Sequence, residues 1–359
     1  MKQITILGGG GTGCTLAADL SRKGHSVTLF DFPEYFSENL TDVRSAGSIT
    51  MKGLAGTGTF PVACVTDNLS YAIENAELIF VAMLASRHER LVYALAPLLR
   101  EGQTVCFSAG NCGSILLRRA LGAQHRAIVG EMSGNIYPCR IAGPATVNCA
   151  MGYKPKRVAA CPGQDTPRLL AALEGVYECF PAQNPIQTTL NSPNINNHVA
   201  AALLNVANID RNQGFRLYRD GFSEHVVELI DQLEQEKETV MNALGYSCVS
   251  FAQSRRNILD FDQHPELDPF RDIIGPDSLQ HRYITEDAST GLCLLYSLAR
   301  MLELETPILD ALLSLASALN HTDYRKGRNL AALGLAGLNR DQLNQWLQKG
   351  TLKNEEDSI

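Results

Sequence analysis

The chain opens with a short apolar run, Ile4–Leu7, that leads directly into Gly8-Gly9-Gly10-Gly11-Thr12-Gly13 and then into the helix-like stretch Cys14–Lys23. A strand feeding a G-x-G-x-x-G turn that starts a helix restricts the fold more than any other feature, because each glycine has a separate task. Gly8 permits the tight turn, Gly10 lets the backbone approach a pyrophosphate, and Gly13 lets the helix lie close to the strand. Gly11 and Thr12 add the open N–H groups of the first helical turn, where the helix dipole favours an anion. A second apolar run, Ser26–Phe30, ends in Asp31, whose carboxylate can accept the hydroxyls of an adenosine ribose and repel a 2′-phosphate. No Arg follows Asp31 before Arg44. These residues predict a dinucleotide site that prefers NAD over NADP. The competing reading is a structural glycine turn beside a surface Asp.

A chain of 359 residues is long enough for two domains with ordinary cores. Its 45% hydrophobic and 19% charged content is that of a water-soluble globular protein, and no apolar run reaches the roughly 20 residues of a membrane span. The start, Met-Lys-Gln followed at once by a strand, is read as leaving no room for a signal peptide. A net charge of −7 with no basic tract argues against a nucleic-acid surface. The ten cysteines show no C-x-x-C and no metal-like spacing, so reduced thiols in a cytoplasm are expected, and no metal. Cys14 falls in the first turn of the glycine helix, where the dipole would favour a thiolate; plain packing is the other reading.

Apolar strands alternate with helices through the first half. Strands are expected near Phe60–Val65, Leu78–Ala82, Thr104–Phe107, Ala127–Glu131, Ala145–Ala150 and Arg157–Ala160, with helices between them. That alternation predicts an α/β fold with a doubly wound parallel sheet of Rossmann type over residues 1–186, its ligands beyond the carboxyl ends of the strands. The polar, Asn-rich stretch Gln187–Asn197 marks a boundary. Beyond it His198–Ile209, Ser223–Leu244, Ala288–Leu302 and Pro307–Asn320 carry apolar residues at helical spacing, so residues 187–359 are expected to form a mainly α-helical substrate domain. Leu352–Ile359 reads as a frayed tail. Such a two-domain plan places a small-molecule substrate in the cleft between domains. A homodimer is left open.

Two stretches of the second half offer chemistry. In Ser192–Asn205, His198 is expected to start a helix, with Asn205 two turns on along the same face. In Arg282–Asp287, Thr285 can cap the next helix, with Asp287 in its first turn. A working His commonly has a carboxylate on its other ring nitrogen, which nominates Asp287, and Arg282 is then left to grip a substrate carboxylate. Against this, a His at a helix start is often a capped surface residue, an acid in a first turn is favoured by the dipole alone, and Arg282 could be a solvated charge. Of the other histidines, only His88, beside the Met83–Arg87 turn, is held in reserve. Asn111, in the turn after Thr104–Phe107, is a candidate hydrogen-bonding group for substrate or nicotinamide.

The stretch Arg282–Leu338, RYITEDASTGLCLLYSLARMLELETPILDALLSLASALNHTDYRKGRNLAALGLAGL, resembles the C-terminal segment of opine dehydrogenases. Asn194–Asn205 and Gly214-Phe-Arg-Leu-Tyr-Arg-Asp-Gly221 resemble further segments of that family. The resemblance implies an NAD(P)H-dependent reductive condensation, in which an α-keto acid such as pyruvate and an amino acid form an imine that hydride reduces. Carried over by position, His198 matches the family's catalytic His, Asp287 its acidic partner, and Arg282 a carboxylate-binding Arg. Three departures bear on substrate identity: Val199 follows the His where Pro is usual, residues 194–197 are richer in Asn, and Met132 stands where a small hydroxyl residue is common. Two alternatives remain, a ketopantoate-type reductase acting on a 2-keto acid alone and a dinucleotide-sensing protein without turnover.

Overall fold

The computed structural model describes residues 1–352. The chain divides into two compact units, Met1–Thr189 together with the residues from Gln345 on, and Leu190–Asn344. The expected division at 186/187 gave the whole C-terminal segment to the second unit. Leu347 and Gln348 instead lie against Gly163 of the first unit, and the Leu347 side chain is fully buried. Of the tail expected to fray, Leu352–Ile359, all but Leu352 lies outside the described residues.

The strands of the first unit are β1 (Gln3–Leu7), β2 (Ser26–Phe30), β3 (Ser48–Gly53), β4 (Gly58–Pro61), β5 (Cys64–Thr66) and β6 (Leu78–Val81). They continue as β7 (Thr104–Phe107), β8 (Ile128–Met132), β9 (Cys139–Gly143), β10 (Thr146–Cys149), β11 (Lys156–Ala160) and β12 (Cys179–Pro181). Eight of them form one sheet in the order β12-β11-β8-β7-β6-β1-β2-β5. Every neighbouring pair is parallel except β8 with β11, so the expected parallel sheet carries one reversal. The middle strands β6 and β7 are buried at every residue, as a sheet covered on both faces requires.

A second sheet, β4-β3-β10-β9, was not anticipated. It divides the expected strand Phe60–Val65 in two, with β4 pairing β3 and β5 pairing β2. Pro61, which has no N–H to donate, ends β4 at the break. The signal for β3 was present as alternation: Ile49 and Met51 point into the core while their neighbours do not.

The helix Gly11–Arg22 begins immediately after the glycine turn. A Cβ on Gly13 would stand 1.7 Å from the Gly8 carbonyl oxygen, so only glycine allows this helix to lie on β1. A Cβ on Gly8, at φ +123°, would likewise stand 2.6 Å from the Ala82 carbonyl oxygen. At Gly10 an added Cβ meets nothing within 4 Å.

The second unit is helical throughout its described elements. The expected helix His198–Ile209 is two helices, Pro193–Leu203 and Val206–Arg211. Pro193 suits the first turn, where no N–H is needed, so the helix starts earlier and His198 sits in its middle. Glu224–Leu244 is closed by Ser223, which accepts from Val226 N, and by left-handed Gly245. Arg282–Asp287 runs through a π-helical turn, Ala288–Leu292, into Cys293–Met301. A Cβ on Gly291 in that turn would be 2.4 Å from Ile195, so Pro193–Leu203 packs closely on the wide turn. The fully buried Arg255 bonds Asp231 and Glu234 at 2.6 Å each, tying Ala252–Ile258 to Glu224–Leu244.

All ten cysteines are free thiols. Cys14 is fully buried, and burial pushes its thiol up to about 12, which agrees with the plain-packing reading and not with a dipole-favoured thiolate. At pH 8 only roughly one part in ten thousand is then thiolate. Mass-spectrometric mapping after iodoacetamide treatment of the folded protein at that pH is expected to find Cys14 unmodified, and full labelling after denaturation. A second outcome follows from the glycines. Gly13→Ala should lower the melting midpoint by at least about 5 °C, while Gly10→Ala should shift it by about 1 °C or less, read by circular dichroism.

Candidate active site

In the first unit the turns after β6, β1 and β2 come from adjacent strands and share the carboxyl end of the sheet, where such folds hold ligands. The glycine helix has no side-chain cap, its N-cap is Gly10, and the space above Gly10 is open, so the first-turn N–H groups fit a pyrophosphate. Thr12 lies beside them, its hydroxyl 3.4 Å from Asn135 Oδ1. Asp31 accepts from Gly9 N and Phe32 N at 2.9 Å each and is 3% exposed. Burial raises its carboxyl pKa, and these two backbone bonds work against that rise.

Asn111 lies in the turn after β7, where it and Cys112 are both left-handed, at φ +46° and +59°. The turn is held by Glu131, a fully buried residue of β8. Glu131 accepts from Cys112 N at 3.3 Å, Ser114 Oγ at 2.5 Å, Thr188 Oγ1 at 3.1 Å and Thr189 Oγ1 at 2.8 Å. Burial raises the pKa of this carboxyl, and the hydrogen bonds oppose the rise. Glu131 was not singled out from sequence, where the only signal is an acid inside an apolar strand. His88 is fully buried with its ring edge-on to Phe107 at 5.0 Å, a core histidine.

The second unit brings His198 and Asp287 together. Nδ1 of His198 is 2.7 Å from Asp287 Oδ2, and the two residues are 3% and 6% exposed. The Tyr283 ring stacks on the imidazole at 3.7 Å and 18°, and Tyr218 Oη lies 3.4 Å from Nε2. Neither tyrosine was picked out from sequence, although both fall in segments that were. Asp287 closes the helix Arg282–Asp287 instead of opening one, and His281, not Thr285, caps that helix by accepting from Tyr283 N. The π-helical turn that follows lets Asp287 face the neighbouring helix while the chain continues into Cys293–Met301.

Arg282 keeps a long 3.8 Å contact with Glu286 Oε2 and lies 5.0 Å from the Tyr283 ring centre, its side chain 30% exposed. Asn205 does not share a helix face with His198. It lies beyond the end of Pro193–Leu203, and its amide donates to Ala201 O at 2.9 Å and Gly221 O at 3.0 Å. That pair of bonds fastens the Tyr218 segment to the helix carrying His198.

Among the described residues no group of His, Cys, Asp and Glu could hold a metal ion, and no helix is long and apolar enough to cross a membrane. Residues 181–320 match a family model described as NAD/NADP octopine/nopaline dehydrogenase, alpha-helical domain, and residues 4–114 match one described as ketopantoate reductase PanE/ApbA. The chain is 30% identical to the opine dehydrogenase of Arthrobacter sp. (strain 1C) over 352 residues, 94% of this chain and 96% of that one. Two solved structures share the fold across 98% of both chains. One is octopine dehydrogenase with NADH and agmatine, at 16% identity and a TM-score of 0.73; the other is octopine dehydrogenase with NADH and pyruvate, at 18% and 0.70. The near full-length match at 30% identity and the match of its helical part place this chain in the opine dehydrogenase family, whose members are NAD(P)-dependent oxidoreductases acting on a CH–NH bond.

Proposed function

We propose that this opine dehydrogenase carries out its reductive condensation of an α-keto acid with an amino acid using His198 as acid–base group, Asp287 as its orienting partner and Arg282 as a carboxylate anchor. The observation that carries the reading is the buried 2.7 Å contact between His198 Nδ1 and Asp287 Oδ2. An ionised carboxylate only accepts, so Nδ1 donates and Nε2 is left as the working nitrogen. The same carboxylate stabilises the imidazolium once Nε2 takes a proton.

The reaction sets the protons to be moved. The amino acid arrives as an ammonium, and Nε2 takes one proton so that the free amine can attack the keto carbon. Nε2 then returns that proton to the hydroxyl of the adduct, which leaves as water and gives the iminium. A nicotinamide dinucleotide held through its pyrophosphate at the glycine turn would supply the hydride that reduces this carbon. Tyr218 Oη, beside Nε2, is suited to hold the hydroxyl or imine nitrogen in line with the imidazole. Tyr283, stacked on the ring, fixes its plane. Arg282, with a single long ionic contact, has a planar fork available for a carboxylate of the substrates. Asn111, in the turn fixed by Glu131, would hydrogen-bond substrate or nicotinamide. We assign Asn205 to holding the Tyr218 segment.

Asp31 at the ribose end supports NADH as the working cofactor, and pyruvate, the ligand of one structural relative, is the first keto acid to try. Free thiols throughout support a reducing cytoplasm. The ketopantoate reductase match over residues 4–114 favours one second reading, a reductase that needs no amine. Following NADH absorbance with pyruvate, with and without a panel of amino acids, separates the two. Turnover is expected only when an amino acid is present; equal turnover without amine would sink the condensation reading. His198→Gln is expected to lower kcat by about 10²- to 10⁴-fold while NADH still binds. Tyr218→Phe should lower kcat by about ten-fold, with a smaller change in the KM for keto acid, measured by steady-state kinetics.

A further inference from the structure

Two of the free thiols face each other across the second sheet. Cys139 in β9 and Cys149 in β10 are direct partners of an antiparallel pair. Ala150 N donates to Pro138 O at 2.8 Å, which makes Cys139 and Cys149 a non-hydrogen-bonded pair. In such a pair the Cα atoms stand about 4.5 Å apart and both side chains leave the same face, within the span of a disulfide. The thiols are already in contact. Cys149 donates to the Cys139 sulfur, which draws the Cys139 pKa down to about 7; the same bond, with burial, pushes the Cys149 thiol up. Cys139 Sγ also lies 3.9 Å from Thr12 Oγ1, and β9 passes over the first turn of the glycine helix, where a Cβ on Gly11 would stand 3.6 Å from Arg140 Cα.

We propose that Cys139 and Cys149 form a redox modification site, at which a hydroperoxide converts the two facing thiols into a cross-strand disulfide. The roles follow from the asymmetry of the pair. Cys139 is 9% exposed, next to the exposed Arg140, and near pH 7 about half of it is thiolate; Cys149 is 1% exposed and stays a thiol. The Cys139 thiolate attacks one peroxide oxygen, the O–O bond breaks, and the second oxygen leaves as water with the proton that the thiol gave up. Cys139 is then a sulfenic acid. The Cys149 sulfur attacks it, the S–O bond breaks, and the hydroxyl leaves with the Cys149 proton as a second water. The two sulfurs have lost two electrons, and the peroxide has gained them. Cys14, whose thiol also feels the charge of Cys139, is held away by Gly9 O and Asn39 Nδ2, and burial keeps it protonated. The proposal does not depend on what the glycine turn binds.

The test treats the folded, fully reduced full chain with hydrogen peroxide at neutral pH, blocks the remaining thiols by alkylation in denaturant, and maps the peptides by mass spectrometry without reduction. Wild type should yield a Cys139–Cys149 linked peptide that lacks two hydrogens and that dithiothreitol returns to free thiols. Cys149→Ser should stop at the sulfenic acid, read as a dimedone adduct on Cys139. Cys139→Ser should slow the loss of the Cys149 thiol by at least about ten-fold, since the remaining sulfur is not a thiolate. Cys14→Ser should leave the linkage unchanged. Wild type in which Cys139 and Cys149 both remain alkylatable would overturn the proposal, whether or not the variants fold. Linkage of Cys139 to Cys14, or oxidation of Cys149 at an unchanged rate in Cys139→Ser, would overturn it too.

Discussion

The first unit depends on how closely one helix can approach one strand. With Gly13 at 1.7 Å from the Gly8 carbonyl oxygen if it carried a Cβ, the helix Gly11–Arg22 lies against β1 at a separation that no other residue tolerates. That approach aims the uncapped first turn at the carboxyl end of the sheet, between the turns after β6 and β2. The proposed anion site would thus be a by-product of packing, made of backbone donors that the helix cannot satisfy itself. Glycine at position 10 contributes differently, by leaving space.

The second unit solves another problem, that of holding two ionisable side chains in a dry interior. The 2.7 Å bond between His198 and Asp287 joins two neighbouring helices, and breaking one partner would strand the other. Close packing at Gly291 against Ile195 supplies the geometry. A separate buried ion group, Arg255 with Asp231 and Glu234, fixes the helices farther from His198 in the chain. Asn205 illustrates how such order is kept cheaply, with one amide serving two backbone carbonyls.

What could be read from sequence followed the range of the physical signal. Strand alternation and glycine spacing are local, and they located β1, β2, β6, β7 and the glycine turn that opens the first helix. Helical periodicity located Glu224–Leu244 almost to the residue, because Ser223 and Gly245 are caps with side-chain or backbone chemistry of their own. The second sheet was missed because β3 and β10 are joined by parallel pairing across about a hundred residues, for which no local pattern exists. Asn205 was misplaced because periodicity continues through the break between Leu203 and Val206. Tyr218 and Glu131 share a cause: each matters through a neighbour distant in the chain. The pairing of His198 with Asp287 was nominated by the carboxylate partner a working His needs and strengthened by family resemblance, which carries long-range information that spacing does not.

The environment of the His198 ring has a further consequence for the order of chemical events. Asp287 occupies Nδ1 and Tyr283 covers a face, so Nε2 is the nitrogen through which the proposed proton transfers would pass. A one-door imidazole cannot take up and release at once. With His198 in the acid–base role proposed above, the ammonium of the incoming amino acid would be discharged before the keto oxygen departs, and the proton it gives up would be the one that leaves in the water. In that role the amino substrate would equip its own partner for condensation, which would tie the loss of water to the presence of the amine without any separate sensing device.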